Sequence, residues 1–248
     1  MTERSASDRL IVALDFDTAD QANALVDVLG DTVGFYKVGW QLFIGAGWPF
    51  VRSLLARDKK VFLDLKIGDI DNTVRAALNN IPDEFAGQLE LLTLQGNEAT
   101  VRAAKAGRHG ERPALLMVTL LSSMDATDLI EAGVDGQPPL ETSTLVRLRA
   151  LRALEAGCEG LIASGQSVRE LREAFADRSF LIVTPGIRLQ GEALDEHKRS
   201  LTPYQAILDG SDYLVVGRPI AGAAHPQESA TTIVSEIERA LQERTAGP

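Results

Sequence analysis

The sequence predicts a single-domain α/β protein of the (β/α)8 barrel type, the TIM barrel. Eight short apolar segments recur along the 248 residues, helical periodicity fills most of the gaps between them, and no low-complexity stretch or linker marks a second domain. Strands alternating with helices imply parallel βαβ units, and eight units in a chain of this length match a closed barrel. An open doubly wound sheet is the other arrangement, but its G-x-G-x-x-G fingerprint after the first strand is missing. The chain 1–248 therefore reads as one barrel domain, with 1–8 as a disordered or loosely attached N-terminal segment.

The elements follow in order. The first strand is read at 10–16 (LIVALDF) and is followed by a helix at 19–29; the second, at 35–39 (FYKVG), leads into a helix at 40–56. The third, at 61–66 (VFLDLK), precedes a helix whose Val74, Ala77 and Leu78 fall on one stripe and whose start Asp69, Asp71 or Asn72 can cap. The fourth strand, 91–96 (LLTLQG), precedes a helix at 98–106. After the fifth, 114–121 (ALLMVTLL), the irregular region near 122–141 reads as an active-site loop with a short helix, before a helix at 142–156. Strands at 160–164 (GLIAS), 180–187 (FLIVTPGI) and 212–217 (DYLVVG) are followed by helices at 167–176, 202–208 and about 227–241.

Composition narrows the function classes. The chain carries 35 acidic and 25 basic residues, a formal charge of −10, which disfavours nucleic acid or an anionic membrane as the main partner. A small anion in a local basic pocket stays compatible. The single cysteine, Cys158, rules out an internal disulfide and a cysteine-built metal site, and suits a packing role in a reducing compartment. Residues 1–8 lack an apolar signal core and no run of about 18 apolar residues occurs, so the expectation is a soluble cytoplasmic protein. His109, His197 and His225 lack ligand spacing, and neither a G-x-S-x-G elbow nor a P-loop is present. Aromatic residues, at 5%, are too sparse for a single-strand stacking platform.

The chemistry-bearing stretch is Asp64-Leu65-Lys66-Ile67-Gly68-Asp69-Ile70-Asp71-Asn72-Thr73, at the end of the third strand. Side chains alternate along a strand, so Phe62, Asp64 and Lys66 share one face and Val61, Leu63 and Leu65 the other. By the same rule Ile11, Ala13 and Asp15 share a face of the first strand, and Phe35 and Lys37 a face of the second. With these strands as neighbours, Asp15, Lys37, Asp64 and Lys66 crowd the C-terminal rim, with Asp69 a turn beyond. Catalytic groups of parallel barrels sit at that rim. Carboxylates flanking a lysine keep it protonated, and such an ammonium can deliver a proton to a developing carbanion. A carboxylate beside a substrate carboxylate opposes it by about 4 kcal/mol at ~4 Å and an effective dielectric near 20. A structural ion-pair network is the plain alternative, and magnesium on Asp64 and Asp69 a third, made less attractive by the two interleaved lysines.

A second cluster lies in the last two strands, Thr184-Pro185-Gly186-Ile187-Arg188-Leu189-Gln190-Gly191 and Val215-Val216-Gly217-Arg218-Pro219-Ile220. Barrel enzymes often bind phosphate after strands seven and eight, and here Gly186, Gly191 and Gly217 supply backbone N–H groups while Arg188 and Arg218 supply charge. Ser122 and Ser123, after strand five, could hydrogen-bond a polar heterocycle.

With these pieces in view the chain resembles the orotidine 5′-monophosphate decarboxylase family, from about residue 10 to 226. The resemblance rests on Ala13-Leu14-Asp15, Lys37-Val38-Gly39, Phe62-Leu63-Asp64-Leu65-Lys66 with Asp69-Ile70 and Asn72-Thr73, Val118-Thr119, Thr184-Pro185-Gly186-Ile187-Arg188 and Val216-Gly217-Arg218-Pro219. The related magnesium-dependent sugar-phosphate enzymes look similar around Asp64 and Lys66 but carry an acid where this chain has Lys37. The resemblance implies a cofactor-free homodimer without a metal that converts orotidine 5′-monophosphate to UMP and carbon dioxide. In that scheme Lys66 protonates C6, Asp64 holds Lys66 and faces the leaving carboxylate, and Asp69 and Thr73 enter the neighbouring subunit's site. Lys37 and Asp15 would bind the ribose and Ser122 the pyrimidine edge. Arg188, Gln190, Gly217 and Arg218 would surround the phosphate, with Ile70 and Pro185 as an apolar wall for carbon dioxide. A catalytically silent nucleotide-binding protein is the reading from another class, and an intact charge array speaks against it.

The departures are local. Leu94-Gln95-Gly96-Asn97 stands where many members have a His-Ala pair, Gly68 replaces a frequent histidine and Asp71 a frequent proline. His197 stands where bacterial relatives have a glutamine that reaches the phosphate. A histidine there titrates near neutrality, so the Michaelis constant should rise between about pH 6 and pH 8 as its charge is lost. Replacing His197→Gln should flatten that rise, and identical profiles for the two proteins would remove the idea.

Overall fold

A computed structural model describes residues 4–85, 87–121, 141–165, 167–189 and 201–246. Eight parallel strands close in chain order, with the first pairing the last. They are β1 (Leu10–Ala13), β2 (Phe35–Gly39), β3 (Lys60–Ile67), β4 (Leu89–Leu94), β5 (Ala114–Val118), β6 (Gly160–Ile162), β7 (Leu181–Thr184) and β8 (Tyr213–Val216). Around them run α1 (Ala19–Leu29), α2 (Trp40–Leu55), α3 (Asp71–Asn79), α4 (Glu98–Gly107), α5 (Thr142–Glu155), α6 (Ser167–Ala174), α7 (Pro203–Leu208), the short α8 (Arg218–Ala221) and α9 (Pro226–Ala246). The barrel expected from the sequence is the barrel observed.

Differences in length have physical causes. β7 stops at Thr184 instead of continuing to 187 because Pro185 has no N–H to donate and Gly186 turns with φ 75°. β1 and β5 likewise end early, at Ala13 and Val118, and the apolar residues beyond β5 serve the cavity described below rather than the ladder. α2 is kinked at Gly47 (φ 53°), two residues before Pro49. α9 extends past both expected ends. For α3, the expected side-chain cap is corrected: Ile70 is the N-cap residue and no side chain caps the helix. Its buried stripe is Val74 and Leu78 alone, with Ala77 exposed. α3 presses on α4 along a narrow seam, where a Cβ at Gly107 would stand 2.1 Å from the Arg75 carbonyl oxygen. In the segment before β1, Ser7–Arg9 form a 3-10 turn and Asp8 binds Lys60 at 2.6 Å.

Two apolar layers result from strand alternation. Outward-facing residues such as Val12, Tyr36, Val38, Leu63, Leu92 and Leu214 pack under the helices. Inward-facing Ile11, Phe35, Phe62, Leu91, Leu116, Val183 and Tyr213 fill the barrel, with Phe35 edge-on to Tyr213 at 5.6 Å. This plug closes the N-terminal half, so among the described residues the charged inward side chains stand at the C-terminal mouth. The plug is tight at β6: a Cβ on Gly160 would lie 2.7 Å from Leu116 Cδ2, Leu181 Cβ and the Leu181 carbonyl oxygen. Gly160→Ala should therefore destabilise the barrel by about 1–3 kcal/mol through overpacking, read as a lower urea midpoint; an unchanged midpoint contradicts this packing.

Candidate active site

A cavity of about 300 Å³ opens at the C-terminal mouth, and its wall changes character around the barrel. Asp15, just past β1, Lys37 of β2, and Asp64 and Lys66 of β3 line one side. The β5 and β6 side contributes Val118, Leu120, Leu121 and Ile162. Beyond β7 and β8 come Pro185, Gly186 and Arg188, then Gly217 and Arg218. Charged array, apolar wall and basic loops thus face one another across a single space.

The array is a chain of alternating charge. The Lys37 ammonium lies 2.8 Å from Asp15 Oδ1 and 3.5 Å from Asp64 Oδ2, and Lys66 Nζ donates to Asp64 Oδ1 at 2.9 Å. Lys37 is buried and Asp64 nearly so, its side chain 15% exposed. Burial pushes the Asp64 carboxyl up, but the Lys37 and Lys66 charges and hydrogen bonds from Lys66 and Thr93 outweigh it and hold the group below its ordinary value. Gly39 leaves room for this packing, since a Cβ there would lie 3.0 Å from Lys37 Nζ and 3.5 Å from Asp15 Oδ1.

Local backbone explains how two charged residues two apart both reach the mouth. Leu63 pairs with Leu92 and Ile67 with Leu94, so Asp64, Leu65 and Lys66 together stand opposite the single residue Thr93. Such a bulge kinks the strand and re-aims its side chains. Lys66 adopts φ 44°, a left-handed conformation uncommon for a residue with a Cβ. Thr93 bridges the gap: its hydroxyl accepts the Lys66 N–H at 2.9 Å and donates to Asp64 Oδ1 at 2.9 Å. Sequence reading missed Thr93, although it is the polar inward position of an otherwise leucine-lined strand face.

Several expected members lie elsewhere. Asp69 and Thr73 are exposed and outside the cavity, and Asp69 Oδ1 accepts the Ile70 N–H at 2.6 Å. Asp69 was expected a turn beyond the rim, and it follows the end of β3 at Ile67, outside the cavity of its own chain. Ile70 is 72% exposed and does not line the cavity of its own chain. Pro185 does line the cavity, beside Leu120 and Ile162.

On the basic side Arg188 is buried, its η1 nitrogen donates to the Ile187 carbonyl at 2.8 Å, and its backbone N–H donates to Leu201 at 3.0 Å. The Thr184 and Ser211 hydroxyls share a 2.6 Å hydrogen bond that ties β7 to the turn leading into β8. Arg218 is exposed at the cavity edge. Ser122, Ser123, Gln190, Gly191 and His197 lie outside the described residues, as do residues 122–140 of the region near 122–141 that the sequence predicts as an active-site loop with a short helix.

The altered strand-four end has a structural account. Asn97 caps α4 by accepting from Ala99 and Thr100, and Thr100 returns the bond in a capping box. A Cβ at Gly96 would sit 2.3 Å from Thr100 Oγ1, and one at Gly68 2.0 Å from the Gln95 carbonyl oxygen, so these departures fit one another. His109 lies beside Asp83 and Asn79 at the helix layer. Among the described residues no group of three or more His, Cys, Asp and Glu is placed to hold a metal ion, and no helix is long and apolar enough to cross a membrane. Burial pushes the Cys158 thiol up to about 12, so it is an inert packing group.

Fold and site together define a (β/α)8 barrel with a charged cavity of about 300 Å³ at its C-terminal mouth. Residues 8–233 match the model of the orotidine 5′-phosphate decarboxylase / HUMPS family. The chain is 42% identical over 233 residues to an orotidine 5′-phosphate decarboxylase of Rhodopseudomonas palustris, covering 94% of this chain and 96% of that protein. It is 44% identical to one of Methylobacterium nodulans, over 95% of this chain and 98% of that one. Among solved structures, orotidine 5′-phosphate decarboxylase from Lactobacillus acidophilus superposes with a TM-score of 0.77 at 33% identity, covering 95% of this chain and 99% of that one. The chain belongs to the orotidine 5′-phosphate decarboxylase / HUMPS family, and within it resembles enzymes named orotidine 5′-phosphate decarboxylase, which are carboxy-lyases.

The depressed Asp64 carboxyl links stability to pH with a definite sign. Its ionised form contributes stability above the ordinary carboxylate range, and that contribution is lost as pH falls through the lower folded value. The stability of the protein relative to Asp64→Asn, from urea unfolding, should be flat above about pH 5 and decline below about pH 4. A difference that grows on acidification contradicts this assignment.

Proposed function

We propose that this chain decarboxylates orotidine 5′-monophosphate to UMP, the last step of de novo pyrimidine nucleotide synthesis, and does so without a cofactor. The observation that carries the reading is the Asp15–Lys37–Asp64–Lys66 array sharing one cavity with buried Arg188. Family membership supports the substrate, since the relatives at 42% to 44% identity are named for it.

In this reading the phosphate sits against Arg188, Arg218 and the backbone of Gly217, with Gln190 and His197 as its further ligands. Asp15 and Lys37 take the ribose hydroxyls and Ser122 the pyrimidine edge. The base then presents its carboxylate to Asp64, whose charge opposes it in the ground state and not after the carboxylate has left. As the C6–carboxylate bond breaks, its electron pair stays on C6 and carbon dioxide departs toward Pro185, Leu120 and Ile162. Lys66 Nζ transfers its proton to C6, and the neutral amine is reprotonated from solvent. Binding energy from the remote phosphate is spent on organising the charges around the base. Asp69 and Thr73, exposed on one chain, complete the neighbouring site of a homodimer, so the active unit is the dimer. The enzyme works in the cytoplasm, in keeping with its lone buried thiol.

The test follows the loss of substrate absorbance with a chelator present. The chain should turn over, and Lys66→Ala should lower kcat by about a hundredfold to ten-thousandfold, the range of general-acid catalysis. Turnover that requires added magnesium, or acts only on sugar phosphates, contradicts the reading in favour of the metal-dependent branch. Binding of the nucleotide without turnover contradicts it in favour of a silent binder.

A further inference from the structure

We propose that Thr93 is a positioning residue for Lys66, its hydroxyl replacing the backbone ladder that the β3 bulge removes; the proposal rests on the decarboxylase reading above. Between the Leu63–Leu92 and Ile67–Leu94 pairings, three residues of β3 face one residue of β4, so the Lys66 N–H has no carbonyl opposite it. A buried donor left in that state is costly. The Thr93 hydroxyl accepts it at 2.9 Å and passes its own proton to Asp64 Oδ1 at 2.9 Å. That same oxygen receives Lys66 Nζ at 2.9 Å. One hydroxyl therefore ties down both the backbone of Lys66 and the carboxylate oxygen that aims its ammonium.

Three further observations favour this role. Thr93 is 1% exposed, so water does not stand in for the hydroxyl. Lys66 has φ 44°, a conformation that persists only where its surroundings over-determine it. The inward neighbour on β4, Leu91, is wholly apolar, so the polar residue sits only at the level of the bulge. Thr93 does not line the cavity and its hydroxyl is engaged by Lys66 and Asp64, so its effect should pass through those two residues to the chemical step rather than to substrate binding.

The experiment compares wild type, Thr93→Val and Thr93→Ser in steady-state turnover and thermal unfolding. Valine keeps the shape and removes the hydroxyl; serine keeps the hydroxyl. Thr93→Val is expected to lower kcat roughly ten- to hundredfold, the loss of one hydrogen bond to a charged group, with the Michaelis constant within about twofold. Thr93→Ser should restore kcat to within about threefold of wild type. Equal losses in both variants, unchanged kcat in Thr93→Val, or a rise confined to the Michaelis constant each overturn the proposal. Amide hydrogen exchange at Lys66 reads the same claim without turnover: Thr93→Val should exchange at least about tenfold faster than Thr93→Ser, and equal rates overturn it. An inactive wild type with that exchange difference intact overturns the decarboxylase reading and leaves the positioning role standing. Should Thr93→Val fail to fold, Thr93→Ala against Thr93→Ser makes the same comparison.

Discussion

The Asp64 carboxylate is the interaction on which the mouth of this barrel depends. Oδ1 accepts from Lys66 and Thr93, and Oδ2 faces Lys37, which also binds Asp15. A carboxylate this buried keeps its charge only because two ammonium groups outweigh the loss of water. The dependence is mutual, since the buried Lys37 ammonium would lack compensation without the two acids. Deleting one member of such a set therefore costs more than one pairwise contact. The bulge in β3, the threonine in a leucine-lined strand face and the missing side chain at Gly39 are all fitted to this carboxylate.

The barrel beneath supplies the conditions under which those charges act strongly. Phe35, Phe62 and Tyr213 plug the interior and Leu120 and Ile162 form the far wall, so among the described residues the array faces solvent through the mouth. Electrostatic interactions are stronger in such surroundings than in water, and a preorganised array need not reorganise as charge develops on a substrate. The basic loops after β7 and β8 lie across the cavity from the array. A ligand spanning the two would be held by its anionic end while its other end met the charges.

Strand alternation makes most of the array legible in the sequence. A period of two residues places Phe62, Asp64 and Lys66 on one face and Phe35 with Lys37 on another, and the barrel brings those faces together. The bulge is not legible, because nothing in the composition of β3 reports that three of its residues face one residue of β4; Thr93 is hidden with it. The exposure of Asp69 and Ile70 on their own chain is hidden for a related reason. Apolar and charged residues continue beyond Ile67, but the chain has already turned outward into α3. The pattern also overextends the strands at β5 and β7, since Leu120, Leu121 and Pro185 are apolar for the sake of the cavity, and hydrophobicity does not distinguish cavity from sheet. Gly68 and Gln95 are unrelated departures along the chain, yet in the fold their backbones meet.

The most direct measurement of the central claim is the titration of the Asp64 carboxyl carbon by NMR in the full-length protein, assigned by comparison with Asp64→Asn. The account predicts a midpoint below the ordinary 3.8, with the Lys37 and Lys66 ammoniums overcoming burial. A midpoint at or above 3.8 would mean that desolvation outweighs both lysines, and the carboxylate would not be the charge around which the site is organised.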